Sequence, residues 1–481
     1  MSQPVPRTLR VAQSHVRLDD PHLCSDDGSA LALQAGLYET LVRRVDAWSF
    51  APSLATRWRV SPDARRWSFT LRQDVLAHDG AALTADDVVA SLERLRDPGL
   101  GGVLGTEGVY AGHLEGARVS AGVEDGSPTL TMDLARPMAD LLDLVADFAI
   151  VPRRAHGRHA LDPIGSGPYR LLRGDERELA LRRWEHHWAG GRSFEQVTFL
   201  AEPDPEERVD AVLSGSADVA AQLTPTLADQ LDGTPGVRVL QRPSSVCAVC
   251  FFGLRDPSSP VTNPRVRRAL HHATDVDAII AQALHGRARR LAGPFTELHL
   301  ACDPSVSPYT FDPTRARALL AEAGYGDGLE LTLDVPTRLP DEAPHVAELL
   351  QQLWSEVGVK LHVVRHDDRA AYAQMVRAGA IQDLCCFDSA PLSSYRVLAE
   401  KLHSEEHGPW WQGHHDEVLN GLIERAAATP DLSARRELYR EAYRRVHDDP
   451  PWLYLYSPDA LWLVSERVDG WEPTFEGITA P

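Results

Sequence analysis

Few groupings of side chains in this sequence could do chemistry, and each has a spacing that can be weighed against the chemistry it would serve. Cys247 and Cys250 form a C-x-x-C pair, the spacing used in thiol–disulfide exchange and in zinc knuckles. They lie in VCAVCFFGL, an apolar run that reads as a strand, and residues three apart on a strand face opposite sides. No redox helix start or knuckle surrounds them, so structural thiols are expected. All six cysteines (Cys24, Cys247, Cys250, Cys302, Cys385 and Cys386) are expected to be unpaired. His78-Asp79-Gly80 sets a histidine beside a carboxylate, but the glycine and its short polar neighbour make it a turn. His362 and His366 can share one strand face, with nothing nearby to complete a metal set. Gly165-Ser166-Gly167-Pro168 lacks the lysine and the helix start of a phosphate cradle. Nor does the chain carry a Gly-x-Ser-x-Gly, a Walker motif, a dinucleotide fingerprint or a zinc spacing. The sequence thus names no catalytic residue, no metal ligand and no cofactor.

The elements that would position any site are more legible. Thr56 to Val60 suits a strand, and Ser61-Pro62-Asp63-Ala64 a turn. Trp67, Phe69 and Leu71 alternate with polar residues, the pattern of a half-buried strand. Thr84 caps a helix with Val88, Leu92 and Leu95 on its apolar face. Asp125-Gly126 marks a hairpin turn. Asn263 followed by Pro264 opens a helix, and Asp275 opens another that stops at Gly286. A strand at 329–334, a helix at 345–357 and a strand at 359–364 make a β-α-β unit, followed by helices at 416–427 and 432–447.

Composition narrows the function. With 481 residues the chain is long enough for two or more domains. Its 49 Lys and Arg against 69 Asp and Glu give a net charge of −20, which repels nucleic acid and anionic membrane surfaces. No stretch is long and apolar enough to span a bilayer. MSQPVPRTLRVAQ has neither the basic start, the apolar core nor the cleavage site of a secretory signal. The polypeptide as written is therefore expected to stay in the cytoplasm.

One signature changes this picture. Tyr38-Glu39, then Pro52, Leu54, Ala55 and Trp58, lead into Phe69-x-Leu71-Arg72-x-x-Val75-x-x-His78-Asp79-Gly80-x-x-Leu83-Thr84-Ala85-x-Asp87-Val88-x-x-Ser91. The run Ile164-Gly165-Ser166-Gly167-Pro168-Tyr169 follows, then Arg265-Val266-Arg267-Arg268-Ala269-Leu270 and Glu322-Ala323-Gly324-Tyr325. At these spacings the chain resembles, over nearly its whole length, the extracytoplasmic solute-binding proteins of oligopeptide, dipeptide and nickel ABC importers. It departs from their pattern at Ala77, where a phenylalanine is usual.

The resemblance implies an α/β, two-lobed periplasmic-binding-protein-like fold of type II with a discontinuous first lobe. Residues 1–43, 164–247 and 456–481 would form the core of lobe I, 44–163 an extra subdomain, and 248–455 lobe II. It further implies a monomeric binding protein, not an enzyme, that captures a peptide or peptide-like solute in the cleft and passes it to an ABC permease. The family's usual location, outside the membrane, would apply if the start is truncated. In peptide binders of the family an aspartate meets the ligand's amine, and Asp388 stands near that place. Its carboxylate could equally cap a loop. Trp410, Trp411, Tyr169 and Tyr38 are the candidates for the rest of the site, and the expected solute is uncharged to cationic. The alternative is a cytoplasmic ligand sensor or biosynthetic enzyme on the same fold.

Overall fold

The computed structural model describes residues 8–23, 27–100, 108–158, 162–190, 194–338, 341–406, 408–468 and 470–473. Cys24 lies outside them. The chain divides into two compact units, Met1–Gln241 with Ala460–Pro481, and Arg242–Asp459. The α/β class expected from the sequence holds in both.

Unit 1 is built on a seven-stranded sheet. Its order is Val237–Arg242, Ala460–Ser465, Val219–Ala220, Thr8–Gln13, Gln196–Ala201, Glu178–Arg183 and Tyr169–Gly174. The first strand of the chain is central and runs parallel to both neighbours. Leu9 and Val11 are sealed in the core, as a strand covered on its faces requires. The start of this strand is fixed by Asp218, a fully buried carboxylate. It accepts from the Arg10 backbone N–H at 2.9 Å and from the Arg10 guanidinium at 3.0 and 3.2 Å, with Arg467 at 3.3 Å. A four-stranded antiparallel sheet of Ala55–Val60, Arg66–Leu71, Ser127–Asp133 and Arg118–Glu124 stands apart within the same unit. Its last hairpin turns at Asp125-Gly126, both at positive φ (53° and 73°), the backbone that a two-residue turn matched to strand twist demands. The helix Ala85–Arg94 opens with a reciprocal cap: Thr84 accepts from the Asp87 N–H, and Asp87 accepts from the Thr84 N–H.

Unit 2 is built on a six-stranded mixed sheet in the order Ala288–Arg290, Trp452–Pro458, Cys247–Phe252, Leu384–Ser389, Leu329–Pro336 and Val359–His366. The last three run parallel, and the others pair antiparallel. Alternation sorts each strand onto two faces. Cys250, Phe252, Leu384 and Cys386 join the core formed with the helices Pro264–His272, Val276–Leu284 and Ala343–Ser355. Phe251 and Phe387, on the other face, lie 5.3 Å apart with their rings tilted by 33°, and Trp452 lies 4.9 Å from Phe251. The five described cysteines are free thiols. Cys247 and Cys250 diverge as their spacing requires: Cys247 Sγ donates to the Pro294 carbonyl, and Cys250 Sγ lies 3.4 Å from Cys386 Sγ across the strand pair. No helix among the described residues is long and apolar enough to cross a membrane.

Candidate functional site

In unit 1 the signature residues build scaffold. His78 Nδ1 accepts from the Gly165 N–H at 3.2 Å, and Nε2 lies 3.1 Å from the Gly167 carbonyl, a pattern that suits the neutral ring. Burial pushes the His78 pKa down, against the hydrogen bonds of the Gly167 and Pro163 carbonyls. Asp79 forms a two-pronged pair with Arg154 at 2.7 Å on each prong, and that contact holds its carboxyl below the usual range. The histidine and aspartate are thus engaged with different partners. Gly165 and Gly167 are glycines because a Cβ there would fall 2.0 Å and 2.7 Å from the Leu37 carbonyl oxygen. The loop they form is pressed onto the end of the helix Gly28–Leu37, and the Gly167 N–H donates to that same carbonyl at 3.0 Å.

This packing decides the surroundings of two predicted site residues. Tyr169 is wholly buried and donates its hydroxyl to the Phe194 carbonyl at 3.2 Å. Tyr38 is buried in the same apolar core, and burial pushes its phenol pKa up. Both rings are core-packing groups of unit 1.

The other three lie in unit 2. Asp388 is half-buried near the carboxyl end of the strand Leu384–Ser389, with an Arg369 guanidinium nitrogen 3.5 Å from its Oδ1. In open parallel sheets ligands bind beyond this end of the strands. Trp410 is buried, with its ring 5.0 Å from that of Phe387, the residue beside Asp388. Trp411 turns elsewhere: its Nε1 donates to the His414 carbonyl at 2.7 Å, and Arg255 lies 5.2 Å from its ring. The structure therefore brings Trp410 to the Phe387 ring, while alternation gives Asp388 the other face of the sheet, that of its cross-strand partner Ala248.

Around the Phe387 and Trp410 rings lie cations. The Arg369 guanidinium is 5.0 Å from the Phe387 ring centroid, and that of Arg377 is 5.7 Å from the Trp410 centroid. Lys401 Nζ lies 5.4 Å from Trp410, 5.9 Å from Phe251 and 6.0 Å from Phe387. Such cation–ring placements are attractive, more so away from water. The Asp388 carboxylate itself faces the Arg369 guanidinium. Elsewhere His362 and His366 bond singly to Glu330 and Asp334, each at 2.8 Å. Among the described residues no group of three or more His, Cys, Asp or Glu is disposed to hold a metal ion.

Comparison with known proteins fits this architecture. The profile of the bacterial extracellular solute-binding proteins, family 5, matches residues 49–383. The chain belongs to this family. The dipeptide-binding protein of Escherichia coli K12 is 25% identical to this family 5 chain, over 94% of this chain and 89% of its own length. The solved structure of HbpA2 from Haemophilus parasuis superposes with a TM-score of 0.82 at 25% identity, covering 98% of each chain. The DppA protein of Helicobacter pylori, solved with the peptide STSA, shares the fold at a TM-score of 0.79 and 22% identity, covering 98% of this chain and 96% of that one. Family 5 is a family of extracytoplasmic solute-binding proteins, and solute binding is the role of this chain.

Arg369 and Lys401 are cations beside the Phe387 ring that the sequence reading did not select. Arg369 opens the helix Arg369–Arg377, and Lys401 closes Ser394–Lys401. In sequence Lys401 looks like the solvated basic carboxyl end that helices favour, whereas Arg369 stands at a helix start, where a cation gains nothing from the helix dipole. The one available signal was the type of residue at 401, since lysine is so rare in this chain.

Proposed function

We propose that this chain captures a peptide or peptide-like solute and delivers it to an ABC importer, with Asp388 meeting the solute's amine and Trp410 contributing apolar contact. The family match carries the reading, supported by relatives that bind a dipeptide and the peptide STSA. The position of Asp388 near the carboxyl end of its strand is consistent with it. The alternative of a sensor or biosynthetic enzyme draws no support from the relatives named above, two of which are described as binding proteins. The reading puts the protein's work outside the cytoplasmic membrane and treats the monomer as its working form. Fractionation of the native host checks the first, and light scattering of the purified protein the second.

The direct test is calorimetry with a defined mixture of di- to pentapeptides on the parent and on Asp388→Asn. Loss of a charge-assisted hydrogen bond costs about 1.5–3 kcal/mol, roughly a tenfold to hundredfold fall in affinity. A parent that binds none of the peptides would sink the peptide reading. Unchanged binding by the variant would remove Asp388 from the site.

A further inference from the structure

Several arginines on the strands of unit 1 meet a carboxylate. Arg66 stands opposite Asp133 at 2.9 Å, Arg10 holds Asp218 at 3.0 Å, and Arg173 reaches Glu178. Arg170 and Arg182 do not follow suit. They are directly opposed residues of the antiparallel strands Tyr169–Gly174 and Glu178–Arg183. Like charges so placed repel each other. The neighbour of Arg182 on the next strand is Gln196, which is neutral. Neither arginine side chain has an ion pair or hydrogen bond among the described residues, and Arg170 meets only the Trp184 ring, at 5.2 Å.

Both arginines line a cavity of about 350 Å³ within unit 1, a size in the range of small-molecule sites. Trp184 gives it a fixed apolar surface: the ring is buried, and its Nε1 donates to the Leu76 carbonyl at 3.3 Å. His186 meets that ring edge-on at 4.9 Å, and the His78-Asp79-Gly80 turn completes the lining with Arg183 and Glu185. Every ionisable group here bears on the charge. Asp79 is taken by Arg154 on both prongs, and Arg183 already interacts with other groups. His78 is hydrogen-bonded to the glycine loop, and burial favours its neutral form. His186 and Glu185 are exposed and make no ion pair among the described residues. Two unmatched guanidiniums therefore face one exposed carboxylate, in a protein whose net charge is −20.

Guanidinium binds oxyanions through a planar fork of N–H donors. A single carboxylate fills one fork. A phosphate ester brings up to two negative charges and three free oxygens, so two opposed forks can hold it together. We propose that Arg170 and Arg182 form a phosphate-binding site in unit 1, flanked by Trp184, and that its ligand is a small phosphomonoester. None of its residues is assigned to the peptide site, so the two readings stand or fall separately.

Calorimetry on the full chain tests this with inorganic phosphate, glycerol 3-phosphate, glutarate, and phosphatidylcholine vesicles with and without phosphatidic acid. Glycerol 3-phosphate should bind with a Kd below about 1 mM, at least about tenfold tighter than glutarate. Arg170→Gln and Arg182→Gln should each weaken it about tenfold or more, and Arg182→Lys, which keeps the charge but loses the fork, by less. Arg173→Gln removes a charge from the same hairpin outside the cavity and should change affinity less than about twofold. Without ligand, Arg182→Gln should resist urea at least as well as the parent, because it removes a repulsion. No binding of either phosphate probe or of the phosphatidic acid vesicles overturns the site. Glutarate binding as tightly as glycerol 3-phosphate overturns the phosphate assignment, and an equal loss in Arg173→Gln reduces the effect to charge screening and overturns the site. Binding of inorganic phosphate alone supports the paired arginines and overturns the organic ligand. Binding of phosphatidic acid vesicles without the soluble probes, lost in Arg182→Gln, supports the site and makes a lipid headgroup its source. Should Arg182→Gln fail to fold, Arg170→Gln and Arg182→Lys decide the matter.

Discussion

Replacing Lys401 by methionine should make this protein more stable at neutral pH. The substitution keeps the length of the apolar stem and removes only the ammonium, so it leaves the packing against Phe251, Phe387 and Trp410 largely in place. Burial away from water holds the Lys401 pKa down from 10.5 to about 8. The Glu400 and Asp388 carboxylates and the Cys247 thiol oppose that fall, and Arg396 reinforces it. At about 1.4 kcal/mol for each tenfold change in proton affinity, the fall corresponds to about 3 kcal/mol of stability. The sign follows from counting protons. Below about pH 8 the folded and unfolded chains both carry the ammonium, and the folded state bears the whole cost of burying it. Between about 8 and 10.5 the unfolded chain still holds a proton that the folded chain has shed, so stability rises with pH. Above that window both are neutral and the penalty is gone.

Lys401→Met has no such dependence. It should exceed the parent by up to about 3 kcal/mol at pH 7, with the advantage shrinking as pH climbs through the same window. Urea unfolding of parent and variant side by side, from pH 6.5 to 10, reads this directly, because contributions from other groups cancel in the difference. The ¹³Cε signal of Lys401 gives the same titration by an independent route. A difference that stays flat across the window, or a variant less stable than the parent at pH 7, would refute the reasoning and mean that the ammonium is better solvated or paired than its surroundings indicate.

Two further outcomes test the scaffold. Gly167→Ala should lower stability by about 1–3 kcal/mol in the same urea assay, since its Cβ would fall within 2.4–2.7 Å of backbone atoms of Gly36 and Leu37 that cannot swing aside. Thiol titration of the native protein should find Cys302 the most reactive of the described cysteines, because Cys247, Cys250, Cys385 and Cys386 are buried, whereas denatured protein should yield all six thiols, Cys24 included. A deficit of thiols under denaturing, non-reducing conditions would show that some are joined.

What could be read from the sequence is what local rules govern. The alternation of Trp67, Phe69 and Leu71, the Asp125-Gly126 turn, the Thr84 cap and the Asn263-Pro264 helix start each depend on a few neighbouring residues, and each is found where those residues stand. Helix and strand ends were less exact: the helix read at 345–357 runs Ala343–Ser355, and the strand read at 329–334 continues to Pro336. The site was less legible because burial is decided by segments far apart in sequence. Tyr169 looked like a wall residue because it follows a glycine-rich loop, yet that loop turns the ring inward to meet the Phe194 carbonyl. Lys401 looked like a solvated helix end, and only the convergence of Phe251, Phe387 and Trp410, from two strands and a loop, shuts it away from water. In sequence Asp388 is a lone carboxylate, and only the fold brings Arg369, nineteen positions away, to 3.5 Å from its Oδ1. The partners of a half-buried carboxylate are set by the fold, and no stretch of neighbouring residues displays them.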